Sequence, residues 1–228
     1  MIPQLYDCFQ HWAENGTVWI ISDTHFGDED LRRGITDRPS DDELVKLINS
    51  KVGKHDTLIH LGDVGDTSYV SKLKGYKVLI TGNHDSGASN YKRIITEDKT
   101  QTRIGQDNIS KRFFVYNPTT IDNHLFDEIY EGPVIIGPKL ILSHEPIMNL
   151  PIMFNIHGHI HIATHNIPRH LNACLDFTDY QPIHFNSLMK SGIFKNIDDI
   201  HRVTIDKATE RVKHQTAIFK KNTVNKNN

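Results

Sequence analysis

Five short stretches of the chain, residues 18–22, 57–61, 77–81, 139–143 and 153–156, are mostly apolar, rich as a set in Val, Ile and Leu, and bounded by polar residues. Each is too short for a helix and too uniformly apolar for a strand with one wet face. They read as strands buried on both faces. Between the first two, Ser40 is followed three residues later by Glu43, the signature of a capping box, and Leu44, Leu47 and Ile48 recur at helical spacing. Strand, helix and strand in that order predict a right-handed crossover and a parallel pair.

The same reasoning predicts a second, weaker helix over 67–73. It predicts further strands at 171–176, 193–196 and 201–206, the last pairing with 215–220. Residues 86–124 are polar, with Lys92, Arg93, Arg103, Lys111 and Arg112, and hold one strong apolar cluster, Phe113-Phe114-Val115-Tyr116. A loop that long is unusual without elements of its own, so a helix near 91–96 and a strand at 112–116 are expected there.

Composition narrows the class. With 228 residues and no Gly/Ser- or Pro-rich linker, one α/β domain over 1–228 is expected, carrying an insert near 86–124 and a frayed tail near 220–228. The formal net charge of -2 gives no global basic footprint for nucleic acid. Two cysteines, Cys8 and Cys174, argue against a disulfide framework and suit a reducing compartment. Residues 1–7 lack the basic and apolar regions of a signal peptide, and no apolar run has the length of a membrane span. A cytoplasmic protein with no membrane partner is expected. The 15 histidines outnumber the 14 glycines, so something uses imidazole. His11, His55, His60, His124, His165, His170, His184, His201 and His214 fall outside every motif and read as surface or core residues.

The rest of the histidines stand where the strands end. The five runs lead into Asp23-Thr24-His25, Gly62-Asp63, Gly82-Asn83-His84-Asp85, His144 and His157-Gly158-His159-Ile160-His161. Open parallel sheets gather ligands at the carboxyl ends of their strands. That brings Asp23, His25, Asp63, Asn83, His144, His159 and His161 to one cleft. A donor set of carboxylate, imidazole and amide oxygen without thiolate suits manganese, iron, zinc, cobalt or nickel, and disfavours calcium. Seven donors exceed one tetrahedral ion and fit two ions roughly 3.5–4 Å apart, the spacing that clamps a phosphoryl group. A lone Gly-Asp is commonly a turn. The joint occurrence after five strands is what carries the assignment. His157 precedes its glycine and reads as packed behind the ligands.

The ordered set Asp-x-His, Gly-Asp, Gly-Asn-His-Asp, His and Gly-His-x-His resembles the calcineurin-like metallophosphoesterases. Ser22–Gly27 as a block, and Asn172-Ala173-Cys174-Leu175-Asp176 with Pro182, are similar to the compact bacterial and phage branch of that family. The resemblance spans roughly residues 17–185. It implies a four-layer αββα sandwich of two mixed β-sheets flanked by helices. It also implies two divalent ions, manganese first among them: Asp23, His25 and His161 on one, Asn83, His144 and His159 on the other, Asp63 bridging. A hydroxide shared by the ions would then be the nucleophile.

His84 follows the ligand Asn83 and is the candidate for protonating the leaving group or holding a phosphoryl oxygen. Asp66 is placed like the carboxylate that orients such a histidine in the family's protein phosphatases, and Asp85 competes for that role. Thr67 stands where those phosphatases have an arginine, which weakens a protein-phosphatase reading. Asn83, His84, Arg32 and Arg38 are the substrate-binding candidates, since a guanidinium near the cleft mouth can fork onto phosphate.

The leading expectation is therefore hydrolysis of a small phosphate ester, mono- or diester, of the nucleotide type. A nuclease is the alternative; its cations would come from the insert and tail, and its stacking aromatics from Phe113, Phe114 and Tyr116. A non-catalytic scaffold would show eroded ligands, and none is missing.

Overall fold

The computed structural model describes residues 4–35, 37–85, 125–148, 152–163 and 168–197. The expected elements at 91–96, 112–116, 201–206 and 215–220, and the tail, lie outside these residues.

The five apolar runs are strands. They are β1 (Val18–Ile21), β2 (Thr57–His60), β3 (Tyr76–Ile80), β6 (Leu140–Leu142) and β7 (Phe154–His157). Four shorter ones join them: β4 (Glu128–Tyr130), β5 (Val134–Gly137), β8 (His170–Asn172) and β9 (Ile183–His184). Two mixed sheets result, one ordered β4-β3-β2-β1-β9 and the other β5-β6-β7-β8. In the first, β1, β2, β3 and β4 run parallel and β9 antiparallel; in the second, β6, β7 and β8 are parallel and β5 antiparallel.

Alternation along the strands builds two cores. Val18, Ile20, Ile59, Val78 and Ile80 face Val134, Ile136, Leu140, Leu142, Phe154 and Ile156, so the sheets pack face to face. Ile21, Leu58 and Leu79 point the other way, onto Leu44, Val45 and Ile48 of a helix on the outer face. That helix, α2 (Asp41–Lys51), is the expected crossover. The Glu43 carboxylate takes the Ser40 N–H at 3.0 Å and its hydroxyl at 2.6 Å, closing the capping box read from the sequence. Two further helices, α1 (Glu29–Gly34) and α3 (Phe185–Lys190), and two 3-10 helices, Asp7–Ala13 and Thr67–Lys72, complete the described elements. The chain is thus an α/β fold of two mixed sheets flanked by helices.

Two expected strands need correction. Residues 193–196 form turns, because Phe194 is an isolated anchor whose ring packs 5.1 Å from that of Phe154. The strand expected over 171–176 ends at Asn172, and only an isolated parallel bridge, Ser22 to Cys174, continues it.

Candidate metal centre

The carboxyl ends of β1, β2 and β3 meet those of β6 and β7 at one edge of the sandwich. To bring side chains back over that edge, the chain must turn sharply as each strand stops. Asp23, His25, Asp63, His159 and His161 do so with φ of 58°, 41°, 58°, 72° and 46°. The left-handed region is uncommon for residues with a Cβ and costs on the order of 1–3 kcal/mol at each position. Glycine serves where even that is insufficient. Gly62, at φ 97°, faces the Gly82 backbone so closely that a Cβ would collide with its nitrogen. A Cβ on Gly158 would strike Ser22 Oγ and the Asp23 carboxylate. The glycines of three motifs thus let the ligand loops touch.

All seven expected ligands come together, in two groups. Asp23, His25 and His161 form one, and Asp63, His144 and His159 the other, each offering donor atoms within 4.8 Å of one another. Asn83 joins the second group, its Oδ1 lying 2.8 Å from His144 Nε2 and 3.1 Å from His159 Nδ1. Asp63 Oδ2 touches both groups, at 3.5 Å from His25 Nε2 and 3.3 Å from His144 Nε2.

Proton bookkeeping indicates that a cation suits each group. His144 Nδ1 lies 2.8 Å from the Leu61 carbonyl, which can only accept, so the proton is on Nδ1 and Nε2 presents a lone pair. That lone pair faces Asn83 Oδ1, Asp63 Oδ2 and His159 Nδ1 at 3.2 Å. His161 Nδ1 is likewise bound to Asp176 Oδ2 at 2.7 Å, leaving Nε2 bare toward Asp23 Oδ1 at 3.9 Å. His25 Nε2 is buried with no hydrogen-bond partner, 3.8 Å from Asp23 Oδ1. Converging carboxylate, amide and imidazole lone pairs, one of them orphaned in the interior, fit a divalent ion in each group. The donors are nitrogen and oxygen throughout, as the sequence indicates.

Without an ion the same crowd of acceptors favours protons on two of the imidazoles. Burial would raise the Asp63 carboxyl, but the His144 hydrogen bond and surrounding charges outweigh it and bring the pKa to about 2. Burial lowers His25. For His144 burial is opposed by the Asp63 hydrogen bond and the charge of Asp23, and the balance is upward. His161 is raised by its bond to Asp176.

Around the ligands lie residues whose roles differ from expectation. Asp66 is exposed and caps the following 3-10 helix by accepting from Ser68 N at 2.9 Å. Asp85 is buried and accepts from the backbone N–H of Asp63, Val64 and Gly82 at 2.8, 3.0 and 2.8 Å. Neither carboxylate is bonded to the His84 ring among the described residues. His84 itself stands at the cleft with 66% of its side chain exposed, its ring Nε2 4.0 Å from Asp63 Oδ2 and its backbone N–H donated to Asp63 Oδ1 at 2.9 Å. Arg38 is buried and bonded to Asp176 and to the carbonyls of Asp23 and Thr24, so its guanidinium is committed within the protein. Arg32 is held by Glu29 at 2.8 Å and Asp41 at 3.0 Å. Both arginines read as substrate binders in the sequence, which does not show that carboxylates of the protein already hold them. Lys92, Arg93 and Arg103, and the aromatics at 113, 114 and 116, lie outside the described residues.

His60, unassigned in the sequence, is fully enclosed. Its Nδ1 accepts from Gly62 N at 3.1 Å, so Nε2–H donates to Thr24 Oγ1 at 2.9 Å, and Thr24 donates on to the Val64 carbonyl at 2.8 Å. Burial pushes it down to about 4, so it is the neutral strut this chain of bonds requires. His157 is buried behind the ligands, its Nδ1 2.9 Å from the Gly158 carbonyl. A cavity of roughly 330 Å³ opens beside Asn83 and His144, walled by Gly132, Pro133, Glu145, Pro146 and Ile147.

The family of calcineurin-like phosphoesterases matches residues 16–170. The chain belongs to that family. It is a metallophosphoesterase, and its paired His/Asp groups are two candidate metal-binding sites. No curated protein matches the sequence significantly. Among solved structures it is similar in fold to the crystal structure of a protein of unknown function from Aquifex aeolicus. The identity is 24% and the TM-score 0.50, over 76% of this chain and 98% of that one.

Proposed function

We propose that this metallophosphoesterase uses two divalent ions, manganese first among the candidates, to hydrolyse a small phosphate ester of the nucleotide type. The observation that carries the reading is Asp63 Oδ2, set between His25 Nε2 and His144 Nε2 at 3.5 and 3.3 Å, where one oxygen can serve two ions. Asp23, His25 and His161 would hold one ion and Asn83, His144 and His159 the other. Bound there, the ions would supply Lewis acidity and a water of lowered pKa.

The chain's own residues do the rest. Asp63 ties the two groups together and is itself fixed by the His84 N–H and, through its backbone, by Asp85. The exposed His84 ring stands on the solvent side of Asp63 and is the proton donor to the leaving oxygen. No described carboxylate contacts it except Asp63, so substrate binding completes its orientation. The cavity beside Asn83 and His144 is the proposed seat of the alcohol part, and its size suits a small ester. The cytoplasm is the proposed compartment, supported by the sparse cysteines; no helix among the described residues is long and apolar enough to cross a membrane.

A panel tests the proposal. The purified protein, stripped and reloaded with manganese, is assayed on an aryl phosphate monoester, the matching diester, nucleotides, cyclic nucleotides and single-stranded DNA. Turnover of the small esters is expected. Turnover confined to DNA, with a steep fall in binding as salt rises, would transfer the assignment to a nuclease.

A further inference from the structure

Beyond the carboxyl end of β8 the chain passes through the isolated bridge at Cys174 into a turn, and Asn172, Cys174 and Asp176 all bond to one of the two metal groups. Asn172 Nδ2 donates to the His161 carbonyl at 2.7 Å. Cys174 Sγ donates to Asp23 Oδ2 at 2.9 Å, an oxygen that also takes the His159 N–H at 2.9 Å. Asp176 Oδ2 takes His161 Nδ1 at 2.7 Å, while its Oδ1 is bonded to Arg38. Arg38 reaches from the same carboxylate to the carbonyls of Asp23 and Thr24. The Asp176 and Arg38 side chains are 0% and 3% exposed, so water does not compete for these bonds. In the second group the corresponding histidine, His144, is held instead by a neutral carbonyl, that of Leu61.

We propose that Asp176 is a positioning residue for the ion held by Asp23, His25 and His161, setting the tautomer of His161 and, through Arg38, the seat of the Asp23–His25 loop. The reasoning rests on the two-metal reading above. A carboxylate can only accept, so it keeps the proton of His161 on Nδ1 and presents Nε2 as the lone pair. With Asp23 Oδ2 occupied by Cys174 and the His159 N–H, Oδ1 is the oxygen turned toward His25 and His161.

The chemistry gives an order of variants that packing alone would not. In Asp176→Asn the amide oxygen stays with the Arg38 guanidinium, because that group only donates. The NH2 then faces His161 Nδ1 and drives the imidazole proton to Nε2, where it blocks the metal-ligating lone pair. Asp176→Ala removes the anchor without imposing the wrong tautomer. A purely structural role predicts the reverse, since asparagine is isosteric and alanine leaves a hole.

The test is manganese titration of metal-stripped wild type, Asp176→Asn and Asp176→Ala, following stoichiometry and affinity by calorimetry, with the His161 tautomer read from imidazole nitrogen shifts of the metal-free proteins at an alkaline pH where the ring is neutral. Thermal midpoints of the metal-free proteins report folding. We expect two ions in wild type, and one site weakened about 10- to 100-fold in the variants, more in Asp176→Asn than in Asp176→Ala. His161 should carry its proton on Nδ1 in wild type and on Nε2 in Asp176→Asn. Two unchanged sites in Asp176→Asn, or an Nδ1 proton persisting there, overturns the positioning role and leaves the two-metal reading intact. A wild type that binds no ion overturns both. If Asp176→Ala does not fold, the tautomer and stoichiometry of Asp176→Asn decide alone.

Discussion

The Asp85 carboxylate accepts the backbone N–H of Asp63 at 2.8 Å, deep beneath the cleft. Two residues with adjacent places in the motifs thus divide the work. Asp63 presents its side chain to both ligand groups, and Asp85 holds the turn that aims it. Asp85 also takes the N–H of Val64 and Gly82, pinning the loops after β2 and β3 to each other. Removing it would orphan three buried donors, each worth on the order of 1–3 kcal/mol. Asp85→Ala should therefore lower stability by roughly 3 kcal/mol or more in urea unfolding. Asp85→Asn, which keeps one accepting oxygen, should lose less. Equal stability of all three proteins would show that the pinning is idle.

Asp63→Asn keeps the shape of the side chain and removes the charge shared by both groups. Turnover should fall on the order of 10³-fold or more, the scale of several kcal/mol of transition-state stabilisation. Metal content after dialysis should fall with it. Activity within a few-fold of wild type would remove Asp63 from the bridge.

The site was more legible in the sequence than its supports. Strand ends carrying Asp23, Asp63, Asn83, His144 and His159 stand out because apolar runs and polar ligands alternate locally. Arg38 was misread because its partner Asp176 is 138 residues away, and only the fold brings them together. β4 escaped notice because it opens on Glu128, a buried carboxylate that breaks the apolar pattern. Residues 193–196 passed for a strand because Phe194 supplies the right composition for a different reason, a single ring packed on Phe154. His60 gave no signal, since a neutral buried histidine with two polar partners looks like any other in sequence.

Five ligand residues hold left-handed backbone, and His25 Nε2 is buried without a hydrogen bond. That strain and the missing bond should be relieved, in effect, by whatever binds the ligands. Adding manganese to the stripped protein at a hundredfold over Kd should stabilise it by about 2.7 kcal/mol per ion, or roughly 5–10 °C in thermal midpoint. Magnesium, which prefers all-oxygen ligands and keeps its waters, should give a smaller shift at equal concentration. An unchanged midpoint with manganese would contradict both metal groups.

His84 is exposed and no ligand atom, so its replacement separates chemistry from metal binding. His84→Asn should leave metal content unchanged. Its kcat should fall about 10²-fold or more for an alkyl leaving group and far less for an activated aryl one. Equal loss on both substrates would argue that His84 holds the phosphoryl group rather than donating a proton.

Far from the metals, Glu128 gathers His11, Trp12, Tyr76 and Tyr130. Its Oε1 is 2.5 Å from His11 Nε2 and accepts from Tyr76 Oη at 2.8 Å, while its Oε2 accepts from Trp12 Nε1 at 3.1 Å and from Tyr130. Burial would raise Glu128, but the bonds from His11, Tyr130 and Tyr76 outweigh it and hold it below its usual value of 4.5. The Glu128 hydrogen bond raises His11 above 6.5. A lowered acid stabilises the fold above its unfolded pKa and loses that contribution as pH falls through the folded one. A raised histidine does the opposite: its contribution is full below 6.5 and is lost as pH rises through the folded value. The pair should contribute most between about 4.5 and 6.5. Because His11 is 39% exposed, salt should weaken the effect. Urea unfolding of wild type and Glu128→Gln across pH 4–9 should show the stability gap widest in that window and narrowing above neutrality. A gap that stays constant to pH 9 would mean that the hydrogen bonds from Trp12, Tyr76 and Tyr130 carry the whole effect and the His11 charge none of it.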